Sequence, residues 1–152
     1  MNHEPIRLLL NGAMGRMGKA IAEACETKPQ YKISISTSLD VGDSMDAAAT
    51  LPDVAVDFSH PKATPPLAQW CASHHIPLVI GTTGHSDDER QTILSQTNEI
   101  PMVWAGNYSV GITLLNYLTE RACRALDDSY DAEIIEMHHR HKKDAPSGTA
   151  QQ

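Results

Sequence analysis

Gly12, Gly15 and Gly18 stand three apart directly behind an apolar run, residues 6–10. Glycines at such a turn do separate jobs: the first bends the chain out of a strand, the second admits a phosphate to the backbone, and the third lets a helix pack close. Free N–H groups at the helix start then favour an anion such as a pyrophosphate. The segment Gly12-Ala13-Met14-Gly15-Arg16-Met17-Gly18 is spaced GxxGxxG instead of the commoner GxGxxG. It reads as a dinucleotide turn, against the alternative of a purely structural turn. Arg16 fits either a phosphate contact or an ordinary exposed arginine.

A second chemical concentration lies at residues 136–149, Glu136-Met137-His138-His139-Arg140-His141-Lys142-Lys143-Asp144-Ala145-Pro146-Ser147-Gly148-Thr149. Histidine exchanges protons near neutral pH, and lysine or arginine can hold a carboxylated substrate and stabilise developing negative charge. Ser147, Gly148 and Thr149 could take a carboxylate on N–H and hydroxyl groups. The same stretch also reads as a solvated charged face, or as a metal or anion site. No cysteine stands close, and the histidine spacing fits no common zinc signature. Three further segments, Ser59-His60-Pro61, Gly81-Thr82-Thr83-Gly84 and Gly106-Asn107-Tyr108-Ser109, each follow a strand-like run. In an open α/β sheet, ligands lie beyond the carboxyl ends of strands, so the three are predicted to face one crevice.

The elements that position these residues alternate. Strands are expected at residues 6–10, 31–38, 54–58, 76–80, 101–105 and 132–137, and helices at 19–25, 63–73, 86–96 and 110–126. Pro65 and Pro66 confine the second helix to a later start or to its own first turn. Ser86 with Glu89 forms a capping box for the third. The pattern predicts an α/β fold: a Rossmann-like, mostly parallel sheet with helices on both faces, plus the start of an incomplete α+β catalytic domain. The division is placed at residues 1–109 for the dinucleotide domain and 110–152 for the beginning of the substrate domain. A ribose-holding residue is sought near the end of the second strand, where the chain reads Ser36-Thr37-Ser38-Leu39-Asp40. Asp40 is the nearby acid, and Ser38 belongs to a hydroxyl run that tolerates a 2′-phosphate. No close basic residue is available to clamp such a phosphate, and NADH and NADPH both remain candidates.

The bulk properties agree with a globular domain. The 152 residues carry 41% hydrophobic and 20% charged side chains, with a formal net charge of -7. That balance gives no reason to propose nucleic-acid binding. No apolar run reaches the ~18 residues of a membrane span, and no signal-peptide pattern opens the chain. Cys25, Cys71 and Cys123 are widely separated thiols, which suits a reducing cytoplasm.

These motifs resemble one family. Gly12 to Gly18, Asp57-Phe58-Ser59, Gly81-Thr82-Thr83-Gly84, Asn107-Tyr108-Ser109-Val110-Gly111 and above all residues 136–149 are similar to dihydrodipicolinate reductase of the diaminopimelate and lysine pathway. The resemblance implies hydride transfer from NADH or NADPH to a cyclic, dicarboxylated imine derived from 4-hydroxytetrahydrodipicolinate. It makes His138 the catalytic acid and Lys142 its essential partner. His139, Lys142, Ser147, Gly148 and Thr149 would bind the substrate carboxylates, and no metal is implied. Gly12, Ala13, Met14, Gly15, Arg16, Met17, Gly18, Ser38, Asp40, Phe58, Gly81, Thr82, Thr83, Ala105, Gly106 and Asn107 would meet the cofactor. The family usually has an acid where this chain has Ser38. Its members continue for roughly a hundred more residues and are homotetrameric, so this chain is read as the N-terminal part of the family, truncated. On that reading it is inactive alone, and monomeric or prone to associate through the edge of its last strand, 132–137. A non-catalytic dinucleotide module with a metal- or partner-binding His-rich tail is the alternative.

Overall fold

The computed structural model describes residues 4–47, 50–127, 129–138, 140 and 145–151. The chain divides into two compact units, Met1–Trp104 and Ala105–Gln152.

The first unit is a Rossmann-like parallel sheet flanked by helices. In chain order it runs β1 (Ile6–Asn11), α1 (Arg16–Thr27), β2 (Ile33–Leu39), β3 (Val54–Asp57), α2 (Thr64–Ser73), β4 (Leu78–Ile80), α3 (Asp87–Leu94) and β5 (Met102–Trp104). The strands lie in the order β2-β1-β3-β4-β5, and every neighbouring pair is parallel. The order therefore reverses between β1 and β3, the place where such sheets open a crevice. Register aligns the strand ends in one row: Leu39 with Asn11, Asn11 with Asp57, Asp57 with Ile80, and Ile80 with Trp104. Loops that leave this row share one edge of the sheet.

Buried aliphatic side chains hold the row in place. Leu9, Leu67, Leu78, Ile80 and Ile93 are essentially inaccessible, and each contributes about 1.5–3 kcal/mol by leaving water. Helix α2 begins with Pro65 and Pro66 inside its first turn, where the missing N–H groups have no intrahelical partner to lose. Helix α3 carries the expected capping box: Glu89 N–H donates to Ser86 Oγ at 3.3 Å, and Ser86 N–H donates to Glu89 Oε2 at 2.7 Å. It ends at Leu94, two residues early, because the chain tightens into turns at Ser95 and Gln96.

The second unit contains α4 (Val110–Ala125) and a short α5 (Gly148–Gln151). No residue of α4 is buried, and Leu114, Leu115, Tyr117 and Leu118 are all exposed. The strand expected at residues 132–137 does not form. Residues 131–138 have no regular structure, and Ile134, Ile135 and Met137 are 75%, 86% and 92% exposed. An apolar run becomes a strand only when a neighbour takes its N–H and C=O groups. Among the described residues the sheet ends at β5, so the expected edge for self-association is also absent there. No helix among the described residues is long and apolar enough to cross a membrane.

Candidate functional site

The glycine turn sits at the reversal between β1 and β3. Gly12 has φ +84°, a conformation that a side chain disfavours. A Cβ there would stand 2.4 Å from the Phe58 carbonyl oxygen. At Gly18 a Cβ would stand 2.2 Å from the Gly12 carbonyl oxygen, so only glycine lets α1 begin this close to the turn. At Gly81 a Cβ would enter the Phe58 ring, 2.1 Å from Cε1. The three strand-end segments at Gly12, Phe58 and Gly81 therefore touch one another through glycine. Helix α1 starts at Arg16 with Gly15 at its N-cap, which offers no side-chain cap, and Lys19 N–H is the donor that closes the first turn on the Gly15 carbonyl. The N–H groups ahead of it lack intrahelical acceptors, the condition for holding an anion. Met14, Arg16 and Met17 are exposed around this end.

A cleft of about 610 Å³ opens beside the turn. Its walls include Gly12, Gly15, Leu39, Asp40, Phe58 and Lys62. Asp40 Oδ2 accepts from Met14 N–H at 2.8 Å, and Oδ1 accepts from Val41 N–H at 2.9 Å. The Val41 bond first and the Met14 bond second hold the Asp40 carboxyl below its ordinary range. Asp40 thus ties the end of β2 to the glycine turn while lining the cleft. Ser38, by contrast, is exposed and is not in the cleft wall. The expectation that no cation stands near is corrected by Lys62, which follows β3 and faces the same cleft. It escapes a sequence reading because it lies 22 residues from Asp40 along the chain, in the loop on the other side of β1. Volume, glycine cradle and free N–H groups fit a dinucleotide.

Beneath the cleft lies a polar cluster centred on Asp57, to which the motifs give no role of its own, and which includes the cofactor candidate Thr82. Asp57 is fully buried. Its Oδ1 accepts from Asn11 Nδ2 at 2.8 Å and from Ser59 Oγ at 2.5 Å. Its Oδ2 accepts from Thr64 Oγ1 at 2.7 Å and from Thr82 Oγ1 at 2.8 Å. Thr82 Oγ1 in turn accepts from Ser59 N–H at 2.9 Å. The Thr82 hydroxyl is therefore committed to the interior, and exposed Thr83 is the threonine of this loop that can meet a ligand. His85 packs its ring edge against Trp104 with centroids 5.1 Å apart, and burial lowers its pKa.

In the second unit, Ser109 N–H donates to Asn107 Oδ1 at 2.6 Å, which sets the turn before α4. Asn107 Nδ2 donates to Thr149 Oγ1 at 3.2 Å, so a cofactor candidate and a substrate candidate adjoin. Glu136 links the loop together: its Oε1 accepts from Ser147 N–H at 2.9 Å, and its Oε2 lies 3.7 Å from His138 Nδ1. Ser147 Oγ accepts from Ala150 N–H at 3.1 Å, capping α5. Glu136 has no assigned role in the sequence reading. Its signal there is a carboxylate two positions before the proposed acid. His139 and Lys142 lie outside the described residues.

Comparison with known proteins gives a consistent family. Residues 6–108 match the model described as dihydrodipicolinate reductase, N-terminus, and residues 111–152 the model described as dihydrodipicolinate reductase, C-terminus. A 4-hydroxy-tetrahydrodipicolinate reductase of Akkermansia muciniphila is 47% identical over 145 residues, covering 95% of this chain and 58% of that protein. Its counterpart from Stenotrophomonas maltophilia strain R551-3 is 42% identical over 163 residues, covering 99% and 68%. A solved dipicolinate-bound dihydrodipicolinate reductase from Paenisporosarcina sp. TG-14 superposes with TM-score 0.67 at 28% identity, covering 97% of this chain and 63% of that one. The chain thus spans 58% to 68% of the length of these relatives. Its reading as a truncated N-terminal part alone is overturned, since residues 111–152 match the C-terminus model.

Proposed function

The chain belongs to the dihydrodipicolinate reductase family, and we propose that it binds NADH or NADPH and serves the reduction of 4-hydroxytetrahydrodipicolinate to tetrahydrodipicolinate. The observation that carries this reading is the glycine cradle at the β1/β3 reversal, where Gly12 and Gly81 close on Phe58 beside a cleft of about 610 Å³. The pyrophosphate is assigned to the start of α1, with Gly12 to Gly18 around it. The adenosine ribose is assigned to the Asp40 side of the cleft. An acid near a ribose favours the diol of NADH, whereas Lys62 offers a charge to the 2′-phosphate of NADPH, so either cofactor suits this chemistry. Phe58, Gly81, Thr83, Ala105, Gly106 and Asn107 are assigned to the nicotinamide half.

When bound, the reduced nicotinamide supplies the hydride. The substrate is taken as the imine left once the hydroxyl departs as water. That loss leaves a carbon–carbon double bond conjugated with the imine, so hydride adds at the carbon that carried the hydroxyl and the resulting nitrogen-stabilised anion needs one proton. His138 is assigned to deliver it, with Lys142 as its partner. His139, Lys142, Ser147, Gly148 and Thr149 are assigned to the two carboxylates. Cationic side chains in this loop also offset a chain that is acidic elsewhere, lowering the cost of gathering a dianion. We place the functional boundary after residue 109 and the reaction in the cytoplasm. The Cys71 thiol, pushed up to about 12 by burial, stays protonated there.

The test is His138→Ala in the full chain, followed by NADPH oxidation with the cyclic substrate. The expected result is a turnover lower by about 10²–10⁴-fold with NADPH affinity unchanged. Equal turnover in the two proteins would remove His138 from the chemistry. A parallel fall in NADPH affinity would reassign it to cofactor binding.

A further inference from the structure

We propose that Asp57 is the positioning residue of the dinucleotide site, fixing the three strand-end loops against one another from below; this rests on the cofactor reading given above. Its four side-chain partners come from four places: Asn11 at the end of β1, Ser59 just past β3, Thr64 at the start of α2, and Thr82 just past β4. Three of these partners adjoin the residues that line the cradle. Asn11 precedes Gly12, Ser59 follows Phe58, and Thr82 separates Gly81 from Thr83. A displacement at Asp57 is therefore passed, one residue along the chain, to the Gly12, Phe58 and Gly81 segments assigned to the ligand.

Two features separate this role from ordinary core packing. First, position 57 is aligned with Asn11 and Ile80 in the middle of a parallel sheet, where an aliphatic side chain would satisfy burial without desolvating a carboxylate. Four neutral donors around a fully buried acid form a network satisfied at every arm, the kind that selects one arrangement. Second, the network reaches the main chain. Ser59 N–H is held by Thr82 Oγ1, Phe58 N–H by the Asn11 carbonyl at 3.0 Å, and Gly81 N–H by the Asp57 carbonyl at 2.8 Å. Gly12 lies against the Phe58 carbonyl and Gly81 against the Phe58 ring, at distances that admit no Cβ. The loops are thus tied to one another both through Asp57 and through Phe58.

The experiment compares NADH and NADPH dissociation constants of the full chain with those of Asp57→Asn, Thr82→Val, Thr82→Ser and a control, Ile93→Ala. Ile93 is the buried residue of α3, outside the cleft wall, and its truncation destabilises without touching the network. Measurements are made well below each thermal midpoint, with far-UV circular dichroism confirming the fold. Asp57→Asn places an amide N–H against donors and is expected to weaken binding about tenfold or more. Thr82→Val keeps the packing but loses the hydroxyl's bonds to Asp57 and Ser59, and it is expected to weaken binding similarly. Thr82→Ser restores the hydroxyl and should bind within about threefold of the parent, and Ile93→Ala should bind as the parent does. If Asp57→Asn fails to fold, the Val and Ser pair at position 82 carries the test. Equal affinities for Val and Ser, or an equal loss in Ile93→Ala, would overturn the proposal. A parent chain that is folded yet binds neither nucleotide would sink the cofactor reading itself, a separate result.

Discussion

Replacing Gly12 with alanine tests the cradle, and Gly42 supplies its control. Both glycines have left-handed backbone, at φ +84° and +94°. Alanine in that region costs about 1–2 kcal/mol at either position. The ~0.4–1 kcal/mol that alanine gains by restricting the unfolded chain is also common to both. The surroundings differ. A Cβ at Gly42 meets nothing within 4 Å, whereas at Gly12 it meets Phe58 O at 2.4 Å, Phe58 C at 2.8 Å and Ser59 Cα at 2.9 Å. All three are backbone atoms anchored by the Asp57 network, so relief requires β1 and β3 to separate locally. Overpacking of that kind costs about 1–3 kcal/mol. Gly12→Ala should therefore be less stable than Gly42→Ala by about 1–3 kcal/mol. Urea unfolding followed by tryptophan fluorescence measures this directly, because Trp70 and Trp104 both belong to the first unit. A difference under about 0.5 kcal/mol would refute the reasoning, since it would mean that Phe58 yields freely.

Four shorter predictions concern other links. Ser86→Ala breaks the capping box of α3 and should lower stability by about 1 kcal/mol, read from the urea midpoint. Leu67→Ala empties a fully buried site on α2 and should cost about 2–5 kcal/mol by the same measurement. Arg7 holds the Asp53 carboxyl down at about 2 from its ordinary 3.8. A depressed acid stabilises the fold above its ordinary value and loses that contribution as pH falls through about 2. The stability gap between the parent and Asp53→Asn should accordingly hold steady above pH ~4 and shrink on acidification, as pH-dependent unfolding would record. Glu136→Gln keeps an acceptor for Ser147 N–H but removes the carboxylate beside His138, so turnover should fall about tenfold while NADH affinity stays constant in titration.

What could be read from the sequence was whatever depends on neighbours along the chain. The glycine spacing, the capping box at Ser86 and the prolines at the start of α2 are local devices, and the structure places each as expected. Apolar runs revealed β1, β3 and β4 because these strands carry the buried side chains of the sheet, and β2 and β5 because each has a parallel neighbour to pair with. The run at residues 132–137 also carries apolar side chains, Ala132, Ile134, Ile135 and Met137, yet no described neighbour pairs with it, so the pattern misleads there. The Asp57 network was hidden for a different reason. Asn11 and Asp57 are 46 residues apart, and Thr82 is 25 further on. Only the parallel register brings them into one row. Lys62 reaches the cleft by the same route. Glu136 was visible as a residue of the loop, but its two contacts depend on how that loop folds back on Ser147.

The most direct test of the account is a calorimetric titration of the 152-residue chain with NADH and with NADPH. The account predicts saturable binding of at least one of them at a single site per chain, weakened by Gly81→Ala, whose Cβ would enter the Phe58 ring. A folded chain that shows no saturable heat with either nucleotide, or that binds unchanged with Gly81→Ala, would contradict it.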